Sequence, residues 1–290
     1  MSPAVAAAKA ADLKKPAATG ILYSAAFAPL LEQSQKYIEC IEVPAFRLYS
    51  ISPRLVDSIA RLRPTIISKG WLSLGAPGPL YMDRVRAFAA MVERAKPLWI
   101  SEPLGFSKTH EFGWEANLPI CPSLGSLNTI VEHAIQVMDV CQKQLLLETT
   151  ASFIQARGSI REPDFINEVC HKAHCGVLLD VTALLVNAIN HRFDPVEWLR
   201  QVDCRFIFQL HVSGYSRRDN RCFDEHLSAV QEDVWNLLQE VLGYCSPRAI
   251  ILEREGNYPP AFAIEHELAR LEKLTRTIAQ RSMDETIRRY

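Results

Sequence analysis

Four residues of this chain combine a metal-binding type with a regular spacing. Glu148, Asp180, His211 and Glu253 each close a short apolar run, in the strings Leu145-Leu146-Leu147-Glu148, Val177-Leu178-Leu179-Asp180, Phe206-Ile207-Phe208-Gln209-Leu210-His211 and Ile250-Ile251-Leu252-Glu253, at steps of 32, 31 and 42 residues. Carboxylates gathered at one apolar surface repel one another and raise one another's pKa. A divalent cation removes that difficulty, and three carboxylates with one imidazole make a hard, oxygen-rich set suited to Fe(II), Mn, Zn or Mg. The same residues would also serve as rim charges and helix N-caps, because a capping side chain commonly follows a strand. Only a fold that brings them to one point separates the two readings.

Other side chains are candidates for supporting roles. His191, in Asn190-His191-Arg192-Phe193-Asp194-Pro195, and His226, in Phe223-Asp224-Glu225-His226, offer a possible second metal position together with Gln209. Lys69 ends the third apolar run and Glu102 the fourth, so both are expected at the same face as the four ligands. Lys69 suits orientation of an anionic substrate or proton donation, and Tyr215 suits donation of a hydrogen bond or proton. Glu102 and Arg217 are the candidate substrate contacts. His110, His133 and His266 have no such placement and read as surface or packing residues.

Positioning such a set requires a repeated scaffold. Eight β-rich runs lie at residues 20–24, 37–43, 65–69, 97–102, 144–148, 176–181, 206–212 and 249–253. Helical periodicity falls between and after them, at 29–35, 53–62, 81–95, 127–141, 162–174, 195–201, 233–242 and 260–278, the last following a Pro259-Pro260 break that suits a helix start. Alternation of this kind argues a parallel sheet covered by helices. Eight units in one chain of this length argue an α/β protein of the (β/α)8 TIM-barrel class. No G-x-G-x-x-G or G-x-x-x-x-G-K-[ST] string follows the first strand, so a doubly wound nucleotide fold has no anchor. The non-periodic stretches 70–79, 105–125, 149–161, 183–194 and 213–227 all follow strand ends, which gathers them on the face where barrel enzymes do chemistry. The expected organisation is a disordered Ala-rich tail at 1–19, a single barrel domain at 20–282 and a C-terminal tail at 283–290.

Composition narrows the partners. With 32 Lys and Arg against 33 Asp and Glu, a net charge of -1 leaves no basic field for a nucleic acid or an anionic membrane. No apolar run approaches a membrane span. Eight cysteines in 290 residues are too dilute for a disulfide scaffold and fit a reducing, cytoplasmic setting. The cluster Cys170-His171-Lys172-Ala173-His174-Cys175 has no zinc-module spacing and reads as a helix end running into a strand.

Several strings resemble, in order, the motifs of the multinuclear non-haem iron-dependent oxidative enzymes. They are Ser68-Lys69-Gly70-Trp71-Leu72-Ser73-Leu74-Gly75, Ser101-Glu102-Pro103-Leu104, Leu147-Glu148, Leu178-Leu179-Asp180-Val181, the Asn190 to Pro195 string, His211-Val212-Ser213-Gly214 and Leu252-Glu253. The resemblance covers about residues 20–273 and implies a xylose-isomerase-like barrel holding two or three irons. It also implies use of O2 to rearrange cysteine or neighbouring groups, often in ribosomally made peptides delivered by a partner protein. Glu148, Asp180, His211 and Glu253 fall on iron-ligand positions of the family, and His191 and His226 on further ones.

The chain departs from the family at particular places. Lys69 and Pro103 stand where the family has His, Gln209 where it has an acid, Thr182-Ala183 where it has Asn-Asn, Tyr215 where it has His, and Thr149 where it has Asn. The lost imidazoles belong to one iron, while the central four residues survive. An ammonium at Lys69 supplies positive charge without a metal and repels a second cation nearby. What the resemblance then implies is a reduced site of one or two ions, Fe(II)/Fe(III) with Mn or Zn as alternatives, acting on a small molecule or a precursor peptide. Two other readings of the same barrel are a single-metal Lewis-acid isomerase, lyase or hydrolase, and a non-catalytic scaffold.

Overall fold

A computed structural model of the chain describes residues 16–27, 30–31, 36–46, 53–108 and 113–288. Residues 1–15 of the expected tail, most of the helical segment expected at 29–35, and His110 lie outside the described residues. The elements in order are β1 (Ala18–Leu22), β2 (Cys40–Pro44), α1 (Pro53–Leu62), β3 (Thr65–Ser68), α2 (Met82–Ala95), β4 (Ile100–Pro103), β5 (Phe106–Lys108) and β6 (Gly113–Leu118). There follow α3 (Leu124–Cys141), β7 (Leu145–Glu148), α4 (Glu162–Ala173), β8 (Gly176–Asp180), α5 (Val181–His191) and α6 (Pro195–Leu199). The chain continues through β9 (Ile207–Val212), β10 (Gly214–Arg218), β11 (Arg221–Ser228), α7 (Glu232–Tyr244), β12 (Ala249–Leu252) and α8 (Ala261–Arg288).

Eight of these strands close a barrel in the order β1-β12-β9-β8-β7-β4-β3-β2, every neighbouring pair parallel. They are the eight β-rich runs read from the sequence. Along each strand the side chains alternate between the barrel interior and the helix layer. Leu145, Leu147, Leu179, Leu210, Val212 and Leu252 pack outward into the continuous core shared with the helices. Leu146, Leu178 and Ile251 belong to a separate inner cluster with Leu22, Ile66 and Trp99. Two residues further along the same three strands stand Glu148, Asp180 and Glu253, all buried. The period of two that fills the barrel floor with leucine and isoleucine therefore also delivers the ionisable residues to its carboxyl-end mouth.

Local chemistry fixes the helix starts. Ser123 and Ser126 form a reciprocal cap at α3, and Asp194 accepts the N–H groups of Val196 and Glu197 ahead of Pro195 in α6. The 170–175 cluster is the expected helix end: α4 stops at Ala173, His174 takes a left-handed φ of 54°, and β8 begins at Gly176.

Two expectations about the loops are corrected. Most of the stretch 183–194 is not a loop, because α5 starts at the residue directly after the one that ends β8 and runs to His191; the Asp180 carboxylate accepts the Ala183 N–H at 2.9 Å, and Val181, Ala183, Leu184, Val186 and Ala188 form its buried side. The stretches 105–125 and 213–227 contain antiparallel hairpins, β5 with β6 and β10 with β11. The final helix also runs well past the expected end at residue 278.

Candidate metal centre

The four residues singled out by spacing do converge. One ligand atom from each of Glu148, Asp180, His211 and Glu253 lies within 4.8 Å of the others, and all four side chains are buried. His211 Nδ1 is 3.2 Å from Glu148 Oε1 and 3.3 Å from Glu253 Oε2. Three atoms of this group, His211 Nδ1, Glu148 Oε2 and Glu253 Oε2, are buried without a hydrogen-bond partner. Buried polar atoms are rarely left so. The convergence of one ligand atom from each of the four residues is what a cation site built from these donors requires, and the donor set fits a hard divalent ion. Asp180 shows how the two readings of a strand-end acid combine: Oδ1 caps α5, while Oδ2 faces the group and stands 3.9 Å from His226 Nε2.

A second group adjoins the first. His226 Nε2 lies 3.0 Å from Asp224 Oδ1, and Asp180, Asp224 and His226 form a second possible ligand set. The other nitrogen of His226, Nδ1, is 3.2 Å from Glu253 Oε2 and 3.5 Å from Glu255 Oε1, giving a third grouping of His226, Glu253 and Glu255. Lys69 closes this side of the mouth, with Nζ 3.2 Å from Glu253 Oε1 and 2.8 Å from Glu255 Oε1.

Electrostatics follow from burial and these neighbours. Burial raises the Asp180 carboxyl well above its ordinary range, and the charge of Asp224 adds to it. For Glu253, burial alone would act upward, but the charges of His211, Lys69 and His226 outweigh it and hold the group well below the usual carboxylate range. Burial alone would lower His211, yet Glu253 and Glu42 raise it well above its ordinary value. His226 is raised in the same way against its burial, chiefly by Asp224 and Glu253. Burial opposes ionisation of Glu255 too, and its bonds to His226 and the charge of Lys69 bring it down to about 2.

A metal must displace protons that His211 and His226 hold more tightly than ordinary imidazoles, and Asp180 more tightly than an ordinary carboxyl, so affinity rises with pH until these groups have titrated. Calorimetric titration of the metal-free protein in buffers of different ionisation enthalpy is expected to show proton release on metal binding. Release falling to none at pH 7 would contradict the assignment.

The remaining candidates separate into those near this centre and those away from it. His226 joins it, as above. His191 does not: as the last residue of α5 it stands about 16 Å along the helix from Asp180, where Nε2 donates to the Ser152 carbonyl at 2.7 Å. Gln209 is inside the barrel but on the other side of the His211 ring from the ligand cluster. Its amide donates to Glu42 Oε2, and its Oε1 accepts the Trp99 indole N–H at 2.6 Å, so both ends are used away from His226.

Glu102 is engaged by the backbone. It is buried and braces the loop after β3, accepting the N–H of Gly70 and, at 2.9 Å, that of Leu72, while burial pushes its pKa up to about 8. Tyr215 turns away from the mouth on β10 and donates to Asp233 Oδ2 in α7 at 2.6 Å. Burial and that carboxylate push its pKa up to about 12. Arg217 is exposed on the same hairpin, opposite Cys222. His133 is a packing residue bonded to the Leu74 carbonyl, and His266 is exposed.

Three residues of the candidate centre escaped the sequence reading. Glu42, inside β2, has Oε2 2.9 Å from His211 Nε2, on the side opposite the ligand cluster. Glu255 lies two residues beyond Glu253, and Asp224 two before His226. Alternation along an extended chain, the period of two that places Glu148, Asp180 and Glu253 at the mouth, is a signal that points to both Glu255 and Asp224.

A closed parallel barrel with a buried carboxylate and imidazole cluster at its carboxyl mouth defines a metal-binding TIM barrel of the xylose-isomerase type. Solved structures of similar fold include a D-psicose 3-epimerase with D-tagatose from Clostridium cellulolyticum H10 (TM-score 0.56, 16% identity, 92% of this chain and 96% of that one). A xylose isomerase domain protein from Planctomyces limnophilus gives a TM-score of 0.61 at 14% identity, over 92% of this chain and 100% of that one.

The chain belongs to the RiPP precursor modification enzyme MbnB/TglH/ChrH family, whose model matches residues 18–276. This is the multinuclear non-haem iron family that the motifs resemble, and membership makes the protein a metal-dependent enzyme by family. Relatives named UPF0276 protein include one from Caulobacter vibrioides, 28% identical over 71% of this chain and 74% of its own. Another, from Acinetobacter baylyi, is 30% identical over 69% of this chain and 70% of its own.

Proposed function

We propose that the protein is an iron-dependent, O2-using oxidative enzyme of a biosynthetic pathway, acting at a reduced centre of one or two ions. The substrate is a cysteine of a precursor peptide or a small molecule carrying an equivalent group. The observation that carries this reading is the convergence of ligand atoms from Glu148, Asp180, His211 and Glu253 within 4.8 Å of one another, where three buried atoms of His211, Glu148 and Glu253 have no hydrogen-bond partner. Bound among them, an Fe(II)/Fe(III) centre supplies one-electron chemistry with O2. Mn and Zn satisfy the same donors.

The chain's own residues account for the rest. Glu42 orients the His211 ring from below, and Lys69 keeps Glu253 and Glu255 ionised at the rim. Loop 149–161 and the β10–β11 hairpin wall the mouth and meet through the Phe153 and Phe223 rings, 4.9 Å apart. Beside Thr149, the residue after Glu148, a groove of about 410 Å³ opens between Leu104, Ile120, Ile154, Arg157 and Phe165. We assign this groove to an extended peptide substrate, in keeping with a family that modifies precursors. A partner protein would then supply leader recognition. All eight cysteines are free thiols, which supports a reducing, cytoplasmic setting. Among the described residues no helix is long and apolar enough to cross a membrane.

Anaerobic purification followed by metal counting, then O2 uptake with candidate peptides, tests this. One or two irons per chain and O2-dependent turnover are the expected result; a metal-free protein that is folded and active ends it. The Lewis-acid reading draws on the ion pair of Lys69 with Glu253, which lowers the room for several metals. Turnover without O2, supported by Mg or Zn, would select it. Unchanged function after Glu148→Ala and His211→Ala together would select the scaffold.

A further inference from the structure

Of the three ligand groupings at the mouth, the one formed by His226, Glu253 and Glu255 has both of its carboxylates bonded to a cation of the protein's own, whereas in the four-residue group that cation touches Glu253 alone, through Oε1, and leaves Oε2 facing His211. Lys69 reaches both carboxylates from the end of β3, and its placement is enforced by the backbone. Lys69, Trp71 and Ser73 hold left-handed φ angles of 54°, 57° and 56°, a conformation that L side chains rarely take. Buried Glu102 holds the intervening Gly70 and Leu72 by their N–H groups, and Arg84 donates to the Trp71 carbonyl at 2.7 Å. A Cβ at Gly70 would stand 2.6 Å from Glu102 Oε1, so the brace requires glycine there. Strained backbone persists only where its surroundings over-determine it, and here it delivers one ammonium to one pair of carboxylates.

Building on the reading of the mouth as a metal centre, we infer that Lys69 is the resident cation of the His226–Glu253–Glu255 grouping and excludes metal from it. Its charge takes the place of an ion between Glu253 and Glu255, and a divalent cation there would meet the ammonium at contact distance. Glu255, thus kept anionic, faces Nδ1 of His226 at 3.5 Å, while Nε2 points to Asp224 and Asp180. A proton on Nδ1 is held by the carboxylate pair, and the Nε2 lone pair is presented to an ion at the second grouping. The mouth therefore takes metal at the four-residue group and, at most, beside it at Asp180, Asp224 and His226. The third grouping belongs to Lys69.

The test is the metal content of wild type, Lys69→Met and Lys69→Arg after equilibration with excess Mn(II) and gel filtration, read by mass spectrometry. Lys69→Met, similar in length and uncharged, is expected to carry one more Mn per chain than wild type, and Lys69→Arg the same number as wild type. A folded Lys69→Met with no more Mn than wild type overturns the assignment. Anomalous diffraction from wild-type crystals soaked in Mn(II) decides it independently of whether that variant folds. A peak at the four-residue group with none between His226, Glu253 and Glu255 supports it, and a peak at the latter with Lys69 displaced overturns it. Wild type that takes no Mn at the four-residue group defeats the metal-centre reading itself, and this inference with it.

Discussion

Glu253→Gln is expected to lower the stability of the metal-free protein by about 3–5 kcal/mol at neutral pH, the usual consequence of removing one partner from a buried charge group. Glu253 is fully buried and faces three cationic groups, His211 Nδ1 at 3.3 Å, His226 Nδ1 at 3.2 Å and Lys69 Nζ at 3.2 Å. The amide keeps the volume and removes the charge, so packing stays while the positive groups lose their common counter-ion. The sign with pH follows from the depressed pKa. Because the folded value lies well below the ordinary 4.5, the contribution of Glu253 is complete above that value and is lost as pH falls through the folded pKa. Chemical denaturation with a chelator present is expected to show a wide gap between wild type and variant at pH 7 that narrows in acid. Equal stabilities at pH 7 would mean that the carboxylate is not the hub the geometry makes it. With metal supplied, the gap widens further, because wild type gains binding energy that the variant has largely lost.

Much of this arrangement is legible in the sequence, because barrel geometry converts a one-dimensional pattern into a point. Each of the strands β7, β8, β9 and β12 is short and largely apolar and ends within one residue of an acid or imidazole. A parallel barrel places those ends side by side. What was not legible has specific causes. Asp180 ends a strand and caps a helix at the same time, so no turn residues separate β8 from α5, and His191 is carried away along the helix. Tyr215 and Arg217 were expected at the mouth, but the antiparallel pairing of β10 with β11 turns Tyr215 towards α7 and leaves Arg217 exposed. Glu102 ends a strand like the ligands do, yet two backbone N–H groups from the loop after β3 claim it. Glu42 was hidden inside an apolar run, and its partner His211 lies 169 residues away. Distance in sequence of that order leaves no local signal; only closure of the barrel brings the two together.

That closure makes Glu42 the residue whose conservative replacement discriminates best between packing and positioning. Glu42 Oε2 is 2.9 Å from His211 Nε2 and also accepts from the Gln209 amide, whose orientation is set in turn by Trp99 donating to its carbonyl oxygen at 2.6 Å. The chain Trp99, Gln209, Glu42, His211 fixes the ring so that Nε2 keeps its proton toward Glu42, and Nδ1, which in the metal-free protein donates toward Glu148 and Glu253, would turn its lone pair to an ion once its proton is displaced. A carboxylate behind a metal-binding imidazole both holds the ring and raises its basicity, and losing such a partner typically costs about 10–100-fold in metal affinity. Glu42→Gln keeps the shape and removes the charge, and a drop of that size is the expected outcome in competition against a chromogenic chelator. Glu42→Asp, which retains the charge on a shorter stem, should recover part of it. Denaturation of the metal-free variants reports packing separately. An affinity for metal in Glu42→Gln equal to that of wild type would reduce Glu42 to a buried polar residue with no share in the centre, whereas a loss confined to binding makes it the part of the barrel interior that aims His211 at the ion.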